Sequence, residues 1–181
     1  PFQSRFSGFN KSFVTTLDMH ASSYRIIKDH FPKAPVGVAY AYSSFKPDRE
    51  NSLADRLGAW FSDWNLNKVF FKGIETGFVV PPVACWQKID YLKNSLDFIG
   101  FNFYTKWYVR GLGQGMPKPD DVVSDRGYIF YPEGMYEGLM YYGKKFDIPI
   151  IVTENGTDTT DESARIQYID SHLRQLLRAI N

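Results

Sequence analysis

The sequence predicts an α/β fold in which a parallel sheet is covered by helices, and three observations carry that prediction. Helical and strand-like segments alternate along the chain, the order that packs helices onto a parallel sheet. The strand segments are continuously apolar, as strands buried on both faces are, instead of alternating apolar with polar. A glutamate followed by Asn-Gly closes the last strand, at the carboxyl end where α/β barrels build their active sites.

The elements follow in order. From Lys11 to His30, the residues Phe13, Leu17, His20, Ala21, Tyr24 and Ile27 recur at three- and four-residue intervals, the stripe of an amphipathic helix that Pro32 should end. APVGVAYAY (Ala34 to Tyr42) is short, apolar and β-rich, hence a buried strand. Asn51 to Lys72 carries Leu53, Leu57, Trp60, Phe61, Trp64, Val69 and Phe70 at helical spacing, before Gly73, Gly77 and Pro81-Pro82 loosen the chain into a loop. LDFIGFNFYT (Leu96 to Thr105) is a second strand, followed by a Gly- and Pro-bearing segment from Arg110 to Asp125 of the kind that often carries function. Pro132 and Glu133 open a third helix through Met135, Leu139 and Tyr142, since proline in a first turn costs no backbone hydrogen bond. IPIIVTENG is the third strand, and Asp161 caps a fourth helix whose apolar face is Ile166, Ile169, Leu173, Leu176, Leu177 and Ile180.

Composition narrows the function. The 181 residues carry a net charge of +1 with Lys and Arg scattered, so there is no basic stripe for nucleic acid. The single cysteine, Cys85, cannot form an internal disulfide, and no Cys/His cluster has metal-ligand spacing. A reducing, cytoplasmic compartment is the expectation. No apolar run approaches the roughly 20 residues that cross a bilayer, so no membrane partner is expected. Aromatic residues make up 17%, which suits a large core and also a cleft that stacks on sugar rings.

Glu154 is the first candidate for chemistry; its bland alternative is a helix cap or a solvated charge at a strand exit. On the second strand Asn102 and Tyr104 share one face and Phe103 takes the other. A strand interior disfavours Asn, and a buried Tyr needs a partner for its hydroxyl, so a polar pocket beside Glu154 would satisfy both. His20 reads as a core histidine, His30 and His172 as helix-surface residues, and Cys85 as an unreactive thiol. GLGQG at 111–115 follows no strand directly and lacks the Gly-Lys-Ser/Thr ending of a phosphate loop.

Three blocks in order, DFIGFNFYT (97–105), DRGYIFYPEGM (125–135) and IPIIVTENGTDTTDESARIQYIDSHLRQLLRAI (148–180), resemble glycoside hydrolase family 1, with WFSDWNLNKVFFKG (60–73) a looser likeness. Tyr128 departs from the pattern, standing where the family usually has Trp. The resemblance implies one partial (β/α)8 barrel over residues 1–181 with no second domain, its three strands similar to strands five to seven. It implies a retaining β-glycosidase acting on β-linked glucosides or related sugars, with Glu154 as nucleophile, Tyr104 steadying its carboxylate, and Asn102 at the sugar subsite. Asn155 would touch substrate or hold the strand end. No metal or organic cofactor is implied.

The family's acid/base glutamate sits in an Asn-Glu-Pro motif, which does not occur here. The chain alone is therefore expected to be inactive, its open sheet edges calling for a complementary barrel segment or self-association. The competing reading is a non-catalytic half-barrel that binds sugar or assembles with a complementary polypeptide.

Overall fold

A computed structural model describes the backbone of residues 2–181 and the side chains from residue 10 onward. The chain falls into two compact units, residues 1–38 with 64–98 and residues 39–63 with 99–181. Among the described residues no helix is long and apolar enough to cross a membrane.

In the first unit, α1 (Phe2–His30) ends two residues before Pro32. Leu17 and Ala21 are fully buried on the predicted stripe, with His20 and Tyr24 half-buried, while Ile27 is exposed. Asp97 gathers this unit: its carboxylate accepts from the Tyr24 hydroxyl at 2.9 Å and the Val36 amide at 2.7 Å, and pairs with Lys28. His20 Nε2 lies 2.9 Å from the Ser95 carbonyl, and His30 is exposed.

The predicted 51–72 helix is instead three segments: α2 (Leu53–Asp63), a π-helical turn (Trp64–Lys68) and α3 (Val69–Thr76). Val69, Phe70, Phe71 and Ile74 of α3 are buried. Gly77 closes α3 in the left-handed conformation (φ 82°), which glycine adopts without strain. A short antiparallel hairpin, β2 (Phe78–Val79) and β3 (Gln87–Lys88), brackets the Pro81-Pro82 turn. No sequence signal announced it.

The second unit holds most of a sheet in which β4 (Phe98–Arg110) is hydrogen-bonded to β1 (Gly37–Pro47) and, in parallel, to β6 (Ile150–Asn155). β1 and β4 each run five residues beyond the predicted strands. The expected three strands thus form an open sheet, joined by β5 (Gly113–Gln114), which turns back antiparallel on the end of β4. GLGQG is this hairpin. It does follow a strand, contrary to expectation, but leads into another strand where a phosphate loop would open a helix.

α4 (Glu133–Lys145) lies against one face of β4 through two glycines. A Cβ on Gly134 would stand 2.3 Å from the Phe103 ring, and one on Gly138 would stand 2.6 Å from the Phe101 ring. Tyr42 completes this aromatic layer at 5.4 Å from Phe101 and 5.9 Å from Phe103. Asp161 caps α5 (Glu162–Ile180) as predicted, accepting from the Ser163 and Ala164 amides.

Two faces depart from the apolar-stripe reading. α2 buries Asp55, Gly58 and Ala59 and exposes Leu53, Leu57 and Trp60. The reason is a local knot: Asp55 accepts from Arg49 and from the Gly111 amide, and a Cβ on Gly58 would collide with the Gly111 carbonyl. α5 buries Tyr168 and His172 and leaves Ile166, Ile169, Leu173, Leu177 and Ile180 exposed. His172 is therefore a core residue, not the surface histidine its polarity suggested.

Candidate active site

The site begins with a slip in strand pairing. From Ile99↔Ile150 to Phe101↔Val152 the parallel register of β4 and β6 is regular, but the next pair is Asn102↔Glu154, with Thr153 left over. Because side chains alternate faces with period two, a regular register would have set Glu154 beside Phe103, whose ring faces α4. The one-residue slip sets it beside Asn102 instead, on the face that Asn102 and Tyr104 share.

On that face the Tyr104 hydroxyl donates to Glu154 Oε2. Glu154 is exposed and Tyr104 half-buried, so the carboxylate is open to a ligand while its donor is held from behind. Partial burial pushes the Tyr104 phenol up to about 12, and the hydrogen bond and charge of Glu154 add to that shift. At ordinary pH Tyr104 is a proton-bearing donor.

Asn102 is 7% exposed, and its Oδ1 accepts from the Thr153 hydroxyl at 2.5 Å, so the extra residue of the slipped register fixes the amide. The Asn155 side chain donates through Nδ2 to the Phe103 carbonyl at 2.7 Å and to the Tyr168 hydroxyl at 3.3 Å, tying β6 to β4 and α5. All four predicted site residues therefore lie where β4 and β6 pair, with Tyr104 and Glu154 in direct contact.

Sequence reasoning did not single out Thr153, Trp107 or Tyr168. The Tyr128 ring lies 6.2 Å from that of Tyr104, and Trp107 in turn meets Tyr128 perpendicularly at 5.7 Å. Tyr168 carried one readable signal, its four-residue spacing from His172 on the same helix. The two rings stack at 3.9 Å.

The model of glycosyl hydrolase family 1 matches residues 6–181. The chain is 32% identical over 193 residues to a β-galactosidase of Saccharolobus solfataricus, covering 94% of this chain and 37% of that protein. It is 27% identical to β-glucosidase A of Acetivibrio thermocellus, covering 89% and 42%. Among solved structures it superposes on a β-glycosidase from Pyrococcus horikoshii with a TM-score of 0.76 at 26% identity, covering 91% of this chain and 39% of that one. A β-glucosidase from Thermotoga maritima in complex with deoxynojirimycin shares the fold, with a TM-score of 0.81 at 21% identity and 97% and 45% coverage. The chain thus spans less than half the length of these relatives.

Proposed function

Since the chain belongs to glycosyl hydrolase family 1, we propose that it supplies the nucleophile side of a retaining β-glycosidase acting on β-glucosides or β-galactosides. The hydrogen bond from Tyr104 to Glu154 supports this reading most directly, because it holds one carboxylate oxygen while leaving the group exposed.

In this reading a Glu154 oxygen attacks the anomeric carbon as the bond to the aglycone breaks, and the departing oxygen takes a proton from a second carboxyl. Water then attacks the glycosyl-enzyme, giving its proton to that second group and releasing Glu154 as carboxylate. Tyr104 orients the nucleophile. Asn102, held by Thr153, positions a sugar hydroxyl.

The second carboxyl must stand about 5–5.5 Å from the first in a retaining enzyme. With no Asn-Glu-Pro motif in the sequence, we assign it to polypeptide outside these 181 residues. The chain by itself then loses a contribution of roughly 10² to 10⁴ in rate.

A 2-deoxy-2-fluoro-β-glucoside with a good leaving group tests the assignment in the complete protein. Peptide mapping should find the sugar on Glu154; a label on another residue, or none, would overturn it.

A further inference from the structure

Tyr168 lies outside the catalytic scheme, yet its hydroxyl meets both strands that form the site. It donates to the Tyr104 carbonyl at 2.9 Å and accepts from Asn155 Nδ2 at 3.3 Å, while the same amide nitrogen donates to the Phe103 carbonyl at 2.7 Å. Both N–H bonds of the Asn155 amide and the single O–H of Tyr168 are thereby used. One helix side chain clamps the end of β6 to the middle of β4, immediately beside Tyr104 and Glu154.

The clamp is rigidly mounted. Tyr168 is 1% exposed, its ring stacks on His172 at 3.9 Å, and Phe130 meets it edge-on at 4.9 Å. His172 Nδ1 lies 2.7 Å from the Tyr168 carbonyl, so α5 holds that histidine in place beneath the phenol. A hydroxyl this enclosed cannot be exchanged for water without loss. The register slip between Phe101 and Asn102 makes the clamp necessary: beyond the slip only Asn102↔Glu154 and Phe103↔Asn155 remain paired.

We propose that Tyr168 is a positioning residue, setting the separation of Tyr104 and Glu154 through the Tyr104 carbonyl and the Asn155 amide. The inference rests on the glycosidase reading only for its kinetic consequence; its geometric consequence stands apart from it.

Tyr168→Phe in the complete protein removes the hydroxyl and keeps the ring. Active sites are counted by 2-fluoroglucoside trapping, so that a smaller folded fraction is not mistaken for slower chemistry. The expected result is a kcat per trapped site lowered about tenfold or more with KM within about twofold. In a Tyr104→Phe background the same change should cost far less, since the two act on one contact. An unchanged kcat per site, or an equal loss in both backgrounds, overturns the proposal.

Crystal structures of the Tyr168→Phe and Asn155→Ala variants give a second readout. The Tyr104 hydroxyl should part from the Glu154 carboxylate, and an unmoved pair in both variants overturns the positioning role. If the wild-type protein is not labelled at Glu154, the glycosidase reading fails and the crystallographic comparison still decides this one.

Discussion

The Tyr104 phenol donates to the Glu154 carboxylate across 50 positions of sequence, and the contact exists because the β4–β6 register slips by one residue just before it. A slip of one residue exchanges the faces of a strand. Here it turns a glutamate from the helix-covered side of the sheet to the side of Asn102 and Tyr104.

Removing the donor should be felt in catalysis more than in folding. Tyr104→Phe is expected to lower kcat about 10- to 100-fold in the complete protein, since a nucleophile free to rotate is out of line for much of the time. Its melting temperature should stay within a few degrees, because the lost bond is at a half-exposed site. Steady-state kinetics on an aryl β-glucoside beside a thermal melt separates the two; full activity would remove Tyr104 from the mechanism.

Gly134→Ala tests the layer behind the site. Alanine would favour the helix by about 1 kcal/mol. Its Cβ, however, would stand 2.3 Å from the tip of Phe103 and 3.0 Å from Tyr131. Phe103 is fully buried between Tyr42 and His172, so it cannot swing away cheaply. Overpacking of this kind costs about 1–3 kcal/mol, and denaturant titration should show a net loss. A stabilised Gly134→Ala variant would mean that the layer is slack.

What was legible in the sequence was local. Leu17 and Ala21 mark the buried side of α1, Asp161 caps α5 by its own chemistry, and β6 stands out as an apolar run. Pairing was not legible, because a register is settled between strands: nothing in VTEN distinguishes Thr153 as the surplus residue. The buried side of α5 is hidden in the sequence because its several Ile and Leu at helical spacing outnumber one Tyr and one His. Inside, the Tyr168 hydroxyl reaches the Tyr104 carbonyl of β4, and His172 Nδ1 lies 2.7 Å from the Tyr168 carbonyl of its own helix.

His172 makes stability depend on acid. Burial pushes its imidazole below the ordinary 6.5, although the Tyr168 carbonyl and the Glu133 charge pull the other way. Its Nε2 is buried without a hydrogen-bond partner among the described residues, so a proton there would be unpaired. As pH falls through about 6.5 the unfolded chain binds that proton first, so stability is full above this pH and declines below it until the native ring also protonates. His20, held low by its own burial, adds to the decline. His172→Phe should flatten the stability curve between about pH 7 and pH 5. Parallel curves for the two proteins would exclude His172 as a source of the slope.

The exposed side of α5 governs how the 181 residues behave alone. Ile166, Ile169, Leu173, Leu177 and Ile180 follow at steps of three, four, four and three, so they form one continuous apolar stripe, and each is at least 41% exposed. The exposed Ile151 of β6 adds to the apolar surface of the same unit. Charged residues of α5 such as Asp170 and Arg174 pair with each other at 2.7 Å and do not break the stripe. Five such side chains on one helix are a seam of the kind that a second helix covers, and in a solution of this chain alone the available helix is that of another copy. The isolated chain should therefore sediment as a concentration-dependent oligomer. Ile169→Glu with Leu173→Lys places an ion pair of the favourable order in the middle of the seam without disturbing Tyr168 or His172. That variant should remain monomeric across the same concentrations. Equal association of the two proteins would show that the self-contact lies elsewhere, and a monomeric wild-type chain would show that the stripe does not drive association.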